Sequence, residues 1–174
     1  MTPEQRKLTH DLIITPPSGT RRISLEEFLR RFPSSVVDGK LASGLLEEAW
    51  RTKNSDDLQS VLMIGHTFGF GPDQIAILCR LLEENWHFDH ENIVSALDKF
   101  RSPRAVDALF HATQWIPDYL EYDETRALAV KAIFALAKIP GVESQSKLEV
   151  LAGSHDEILQ KRAKHLLAHR DSFM

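Results

Sequence analysis

The sequence predicts an all-α fold, an α-solenoid of antiparallel helix pairs behind a divergent N-terminal helical cap, and three observations carry that expectation. Apolar residues recur at helical spacing through most of the chain. The segment ALDKFRSPRAVDAL closes one helical pattern at Leu97 and Phe100, breaks at Ser102 and Pro103, and opens another at Val106 and Leu109. The same columns return 31 residues earlier as Gly69, Gly71 and Pro72, Ile75 and Leu78, with Phe68 closing the preceding pattern. They return again 39 residues later as Leu136 and Ile139, Pro140 and Gly141, then Leu148. Helix-turn-helix units repeating every ~30 to 40 residues bury their apolar faces against neighbouring units, which is the pattern of a solenoid. Residues 55–170 are assigned to the helical repeats and 1–54 to the cap, within one domain over 1–174.

The elements follow in order. Thr2, Pro3 and Gln5 give a capping residue, a proline in the first turn and a reciprocal partner, which predicts a helix to about Ile14. Pro16, Pro17, Ser18 and Gly19 predict a loop, followed by Arg21 and Arg22. Ser24 with Glu27 predicts a capped helix from Leu25 to Phe32, stopped by Pro33. Leu41, Leu45, Leu46 and Ala49 share one helical face. A helix is expected to start at Ser55, with Asp56 and Asp57 at its positive end, and its partner to run from Pro72 to near Trp86. Asp89 is the expected cap of a helix from His90 to Phe100, and Ser102 with Pro103 opens the next, to Trp115. Arg126 to Lys138 is apolar on nearly every side, which predicts a helix packed between neighbours. Val142 to Leu151 and a final helix capped by Ser154 and Glu157 complete the chain, the latter apolar only along Leu159, Ala163, Leu166 and Leu167.

Composition narrows the function. The 174 residues suffice to bury roughly two-thirds of the unfolded surface without disulfide staples. Cys79, the one cysteine, lies in the apolar run IAILCRLL and reads as a buried structural thiol. A net charge of -4, from 21 basic and 25 acidic side chains, gives no general attraction to nucleic acid or anionic lipid and favours a basic protein partner. The opening MTPEQRKLTHD lacks the charged-then-apolar order of an export signal, and ALAVKAIFALAKIPG is too short to span a bilayer, so the expected location is the cytoplasm.

The strings SPRAVDALFHA, DETRALAVKAIFALAKIPG and DEILQKRAKHLL resemble the short HEAT-like repeats of phycobilisome lyases, in which an Arg-plus-alanine helix precedes a Pro-started partner. Arg126 stands at the arginine position of one unit, and Gln160 replaces it in the last. The longer pattern WHFDHENI, SPRAVDAL and YLEYDETRALAVKAI is similar to small bacterial HEAT-like proteins encoded beside polymorphic toxin genes. That resemblance implies an immunity role.

Two clusters stand out as candidate binding residues. Asp118, Tyr119, Glu121, Tyr122, Asp123 and Glu124 place four acids beside the chain's only two tyrosines, a composition suited to a basic interface. In the alternative reading, Asp123 and Glu124 serve the next helix terminus and the tyrosines cover the core edge. Trp86, His87, His90 and Glu91 form the second cluster. Its histidines are three apart with the glutamate outside, unlike the His-Glu-x-x-His zinc arrangement, so no metal is expected, and hydrogen bonding to loop carbonyls competes with partner contact. His165 and His169 fall on a polar helix face and read as solvated. The glycines Gly65, Gly69 and Gly71 have neither the preceding strand nor the following lysine of a phosphate loop. With no nucleophile elbow, Cys-x-x-Cys or recognisable carboxylate pair, the expectation is a non-enzymatic, cofactor-free protein-binding module, in the first place a toxin-neutralising immunity protein. A generic adaptor, or a helical-repeat lyase or DNA glycosylase, is the competing reading.

Overall fold

The computed structural model describes residues 1–14, 22–32 and 40–172, and those residues form ten α-helices with short 3-10 turns and no strand. They divide into two compact units, Met1–Gln74 and Ile75–Met174. The expected cap boundary at residue 54 falls inside the first unit. The predicted loop at Pro16, Pro17, Ser18, Gly19 and Arg21, the stop at Pro33 and the side chain of Leu41 lie outside the described residues.

The first unit holds α1 (Pro3–Ile13), α2 (Leu25–Arg31), α3 (Lys40–Thr52) and α4 (Ser55–Phe68). Thr2 and Gln5 make the expected reciprocal cap on α1, and the Ser24 hydroxyl accepts the Glu27 N–H at the start of α2. Leu8, Leu12, Phe28, Phe32 and Ile64 form the core, with Phe28 between Phe32 at 4.9 Å and Phe68 at 5.7 Å. Asp57, in the first turn of α4, binds the Met1 ammonium at 2.7 Å and also the Arg6 guanidinium. It thus ties α1 to α4 while facing the positive end of its own helix. Two glycines are needed where they stand. Gly69 ends α4 at φ +100, a conformation that disfavours a side chain, and a Cβ on Gly65 would lie 2.1 Å from the Phe70 ring.

The second unit holds α5 (Ile75–Leu82), α6 (His90–Phe100), α7 (Val106–Gln114), α8 (Ala127–Ala137), α9 (Val142–Ala152) and α10 (Glu157–Ala168). Helices α5, α7 and α9 contact one another in sequence, as do α6, α8 and α10, giving two packed rows. The sequence columns recognised as repeats fall on the ends of α4, α6 and α8. After the first two of these a proline-led 3-10 turn starts the next helix, Pro72–Gln74 before α5 and Pro103–Ala105 before α7.

Helix α8 packs on α6, α7, α9 and α10, as its all-round apolarity predicts, and Leu128, Ala132, Ile133, Leu136 and Ala137 are buried. Lys131 reaches Glu91 at 2.8 Å and Lys138 reaches Asp98 at 2.6 Å. Both pairs keep one 40-residue offset (131 − 91 and 138 − 98), so α6 and α8 run in the same direction, in register. Arg126 adopts the left-handed conformation at φ 55 to open α8. That conformation costs a non-glycine residue roughly 1–2 kcal/mol. Its guanidinium gains the Thr113 carbonyl at 3.0 Å and the Asp156 carboxylate at 3.3 Å. Because Asp156 caps α10, this arginine fastens the N-terminal ends of α8 and α10 side by side.

Several boundaries differ from expectation for local reasons. Helix α5 stops at Leu82 rather than near Trp86, because the chain turns to bury His87. Asp89 takes the N-cap position of α6 without a side-chain bond to its amides, since the carboxylate accepts from Asn92 instead. Asp156, not Ser154, caps α10, and the Ser154 hydroxyl accepts the Asp156 N–H one step earlier.

Candidate functional site

The turn after α5 brings the two sequence clusters together. His87 and His90 are fully buried and stacked with ring centroids 4.3 Å apart. A carbonyl can only accept, so the short contacts of His87 Nε2 to Leu81 O (2.8 Å) and of His90 Nε2 to Glu84 O (2.7 Å) fix both protons on Nε2. The remaining lone pairs are occupied: Asp89 N–H donates to His87 Nδ1 at 3.1 Å, and the Tyr119 hydroxyl donates to His90 Nδ1 at 3.0 Å. Neither ring has a nitrogen left for a metal, and no metal-holding group of His, Cys, Asp or Glu occurs among the described residues. Burial is the main cause that lowers the pKa of both imidazoles, His90 to about 4, so the pair is neutral at physiological pH.

On this base sits an aromatic cluster. Trp115 lies 5.1 Å from His90 and Tyr119 lies 5.5 Å from it. Phe88 stands edge-on to Tyr119 at 5.2 Å with 69 % of its surface exposed, and the Trp86 indole N–H donates to Glu84 at 2.9 Å. Sequence reasoning passed over Phe88 and Trp115, although the alternation Trp86-His87-Phe88, in which the imidazole between two aromatic side chains is the one that is buried, is a usable signal.

The two tyrosines have different roles. Tyr119 is 36 % exposed and tied to His90, whereas Tyr122 is 91 % exposed. Burial raises the Tyr119 phenol to about 12, so it remains a donor. The acids also divide. Asp123 accepts from Thr125 N–H at 3.0 Å and Ala127 N–H at 2.6 Å, and these bonds, that of the Thr125 hydroxyl foremost, hold its carboxyl below the usual range. It is the α8 terminus residue of the structural alternative. Asp118, Glu121 and Glu124 are exposed and form no side-chain ion pair or hydrogen bond among the described residues. Glu91 faces away from the loop to meet Lys131. Glu91 and Glu124 both border a groove of about 930 Å³ lined by α6, α8 and α10.

Three further groups singled out in the sequence are Cys79, His165 and His169. The Cys79 thiol is half-buried rather than buried as expected, 3.8 Å from the Arg104 carbonyl, and desolvation pushes it up to about 11, so it stays protonated, a poor nucleophile. His165 and His169 are exposed, and His169 Nδ1 donates to the His165 carbonyl at 2.8 Å. No described helix is long and apolar enough to cross a membrane. No protein-family model, curated protein or solved structure matches the chain.

Proposed function

We propose that the chain is a non-enzymatic protein-binding module of HEAT-like helix pairs that neutralises a basic partner, in the first place a bacterial toxin, by covering its surface. One observation carries the reading. The loop 118–124 combines a fully presented tyrosine with three carboxylates, Asp118, Glu121 and Glu124, that have no cation partner among the described residues, beside exposed Phe88. Exposed aromatic side chains anchor interfaces, and surrounding acids select a cationic face and speed its approach. The stacked, fully hydrogen-bonded histidines hold Tyr119 and Phe88 in place before binding, so little ordering entropy is lost on contact. The parallel register of α6 and α8 at a fixed offset supports the repeat reading. The immunity role comes from resemblance to bacterial HEAT-like immunity proteins.

Phe88 and Tyr122 are the anchors to test. The double change Phe88→Ala/Tyr122→Ala is expected to weaken partner binding by more than about 2 kcal/mol in calorimetric titration, with thermal unfolding nearly unchanged because both side chains face solvent. Intact affinity refutes the loop as the binding surface. Co-expression with the captured partner then separates the classes: growth rescue marks an immunity protein, and binding without rescue marks an adaptor.

A further inference from the structure

Every nitrogen of the buried imidazole pair is committed in the neutral form. Each Nε2–H is donated to a carbonyl near the end of α5, Leu81 for His87 and Glu84 for His90, and each Nδ1 accepts. A proton added to His87 Nδ1 faces the Asp89 N–H, which can only donate, so that bond must break. A proton added to His90 Nδ1 faces the Tyr119 hydroxyl, which can turn and accept, yet the charged ring stays out of water, 4.3 Å from its neighbour. The surroundings offer little relief. After α5 the Glu84 carboxylate is engaged by the Trp86 indole N–H, and in the turn the Asp89 carboxylate accepts from Asn92. On α6, Glu91 is turned to Lys131 of α8. From α7 comes the Trp115 ring at 5.1 Å from His90, with exposed His111 at 5.9 Å from Trp115. On the loop side, next to exposed Asp118, the Tyr119 ring itself lies over His90 at 5.5 Å, and Phe88 rests on Tyr119.

We propose that the histidine pair is an acid-operated latch: proton uptake releases Tyr119, and with it Phe88 and the loop 118–124, while the helices of the second unit stay folded. Water reaches the charged ring once Tyr119 lifts. Little apolar surface is newly uncovered, because Tyr119 and Phe88 are already partly exposed in the closed form. The sign follows from burial. In the closed form His90 titrates near 4, and an exposed imidazole titrates near 6.5, so acid favours the open form. From His90 alone the open fraction rises about thirtyfold between about pH 8 and pH 5. His87 adds in the same direction. Neutral pH thus keeps the loop presented, and acid withdraws it. The opening is a property of the chain by itself; that it switches partner binding off rests on the protein-binding reading above.

Hydrogen exchange of the full chain, followed by mass spectrometry and corrected for the intrinsic pH dependence of amide exchange, reads the open fraction. The reporting amides are Asp89, which donates to His87, and Leu120 and Asp123, which close the loop onto the Pro117 and Leu120 carbonyls at 2.8 and 2.9 Å. Peptides covering 86–90 and 118–124 are expected to exchange about thirtyfold faster at pH 5 than at pH 8 and to ignore about 1 M urea, since a local opening exposes little surface. Peptides of α8 should exchange more slowly at both pH values and speed up in urea, as global unfolding requires. In His90→Gln, whose amide can donate to the Glu84 carbonyl and accept from Tyr119 without titrating, the acceleration in the loop should fall by at least about threefold. Loop and α8 exchanging at one rate with one urea response would mean that acid opens the whole unit, and no acceleration would mean that the pair stays closed. Either result overturns the proposal without any variant. An undiminished acceleration in His90→Gln shown to be folded by circular dichroism does so as well. Failure of the binding reading is separate: if the loop opens as expected while Phe88→Ala/Tyr122→Ala still holds the captured protein, the latch stands and that reading falls.

Discussion

Replacing Leu136 by alanine is expected to destabilise the protein by about 2–5 kcal/mol, the largest effect of any single truncation considered. Leu136 is fully buried in α8, and α8 is enclosed by α6, α7, α9 and α10. A cavity bordered by four helices cannot collapse by moving one of them, so both the lost transfer energy and the residual void count. Chemical denaturation monitored by circular dichroism measures it. Val150, 59 % exposed on α9, is the control, and Val150→Ala should stay within about 0.5 kcal/mol. A neutral Leu136→Ala would contradict the packing of α8 described above.

The second large effect is acid sensitivity centred on His90. Its imidazole is held near 4 against an ordinary 6.5, first by burial and then by the neighbouring His87, while the hydrogen bond to the Glu84 carbonyl opposes the shift. A lowered histidine pKa means that the unfolded chain takes up the proton first as pH falls. Stability is therefore complete above about pH 6.5 and is lost progressively down to about pH 4, by roughly 3 kcal/mol from this residue alone. His87 adds in the same direction, although Asp89 and Glu84 temper it. The depressed carboxyls of Asp11, Glu27 and Asp123 lose their contributions only below about pH 4.5, so the windows barely overlap. Urea unfolding followed by tryptophan fluorescence, which Trp86 and Trp115 report locally, should show the decline between pH 6.5 and 4. In His90→Gln the baseline falls and the slope flattens; an unchanged slope would assign the acid sensitivity elsewhere.

How much of this was legible in the sequence depends on the range of the interaction. Local chemistry was legible: the Thr2-Gln5 cap, the break at Ser102 and Pro103, and the all-round apolarity of α8 each act within a few residues. The two candidate clusters were also legible as compositions. Their meeting was not, because the bond from Tyr119 to His90 spans 29 residues and depends on how α5 ends. The same holds for the acids. Four carboxylates of similar character sort into Asp123, which closes the start of α8, and Asp118, Glu121 and Glu124, which face solvent, only once the turn is folded. The parallel register of α6 and α8 was not legible either, because it rests on ion pairs that span 40 residues.

Affinity capture tests the proposal that the loop 118–124 and Phe88 bind a basic protein. The wild-type chain and Phe88→Ala/Tyr122→Ala would be used as baits in lysate of the native cell at low salt, with bound proteins identified by mass spectrometry. One stoichiometric basic protein is expected to be held by the wild type and lost from the variant. The same protein held equally by both baits, or none held by either, would contradict it.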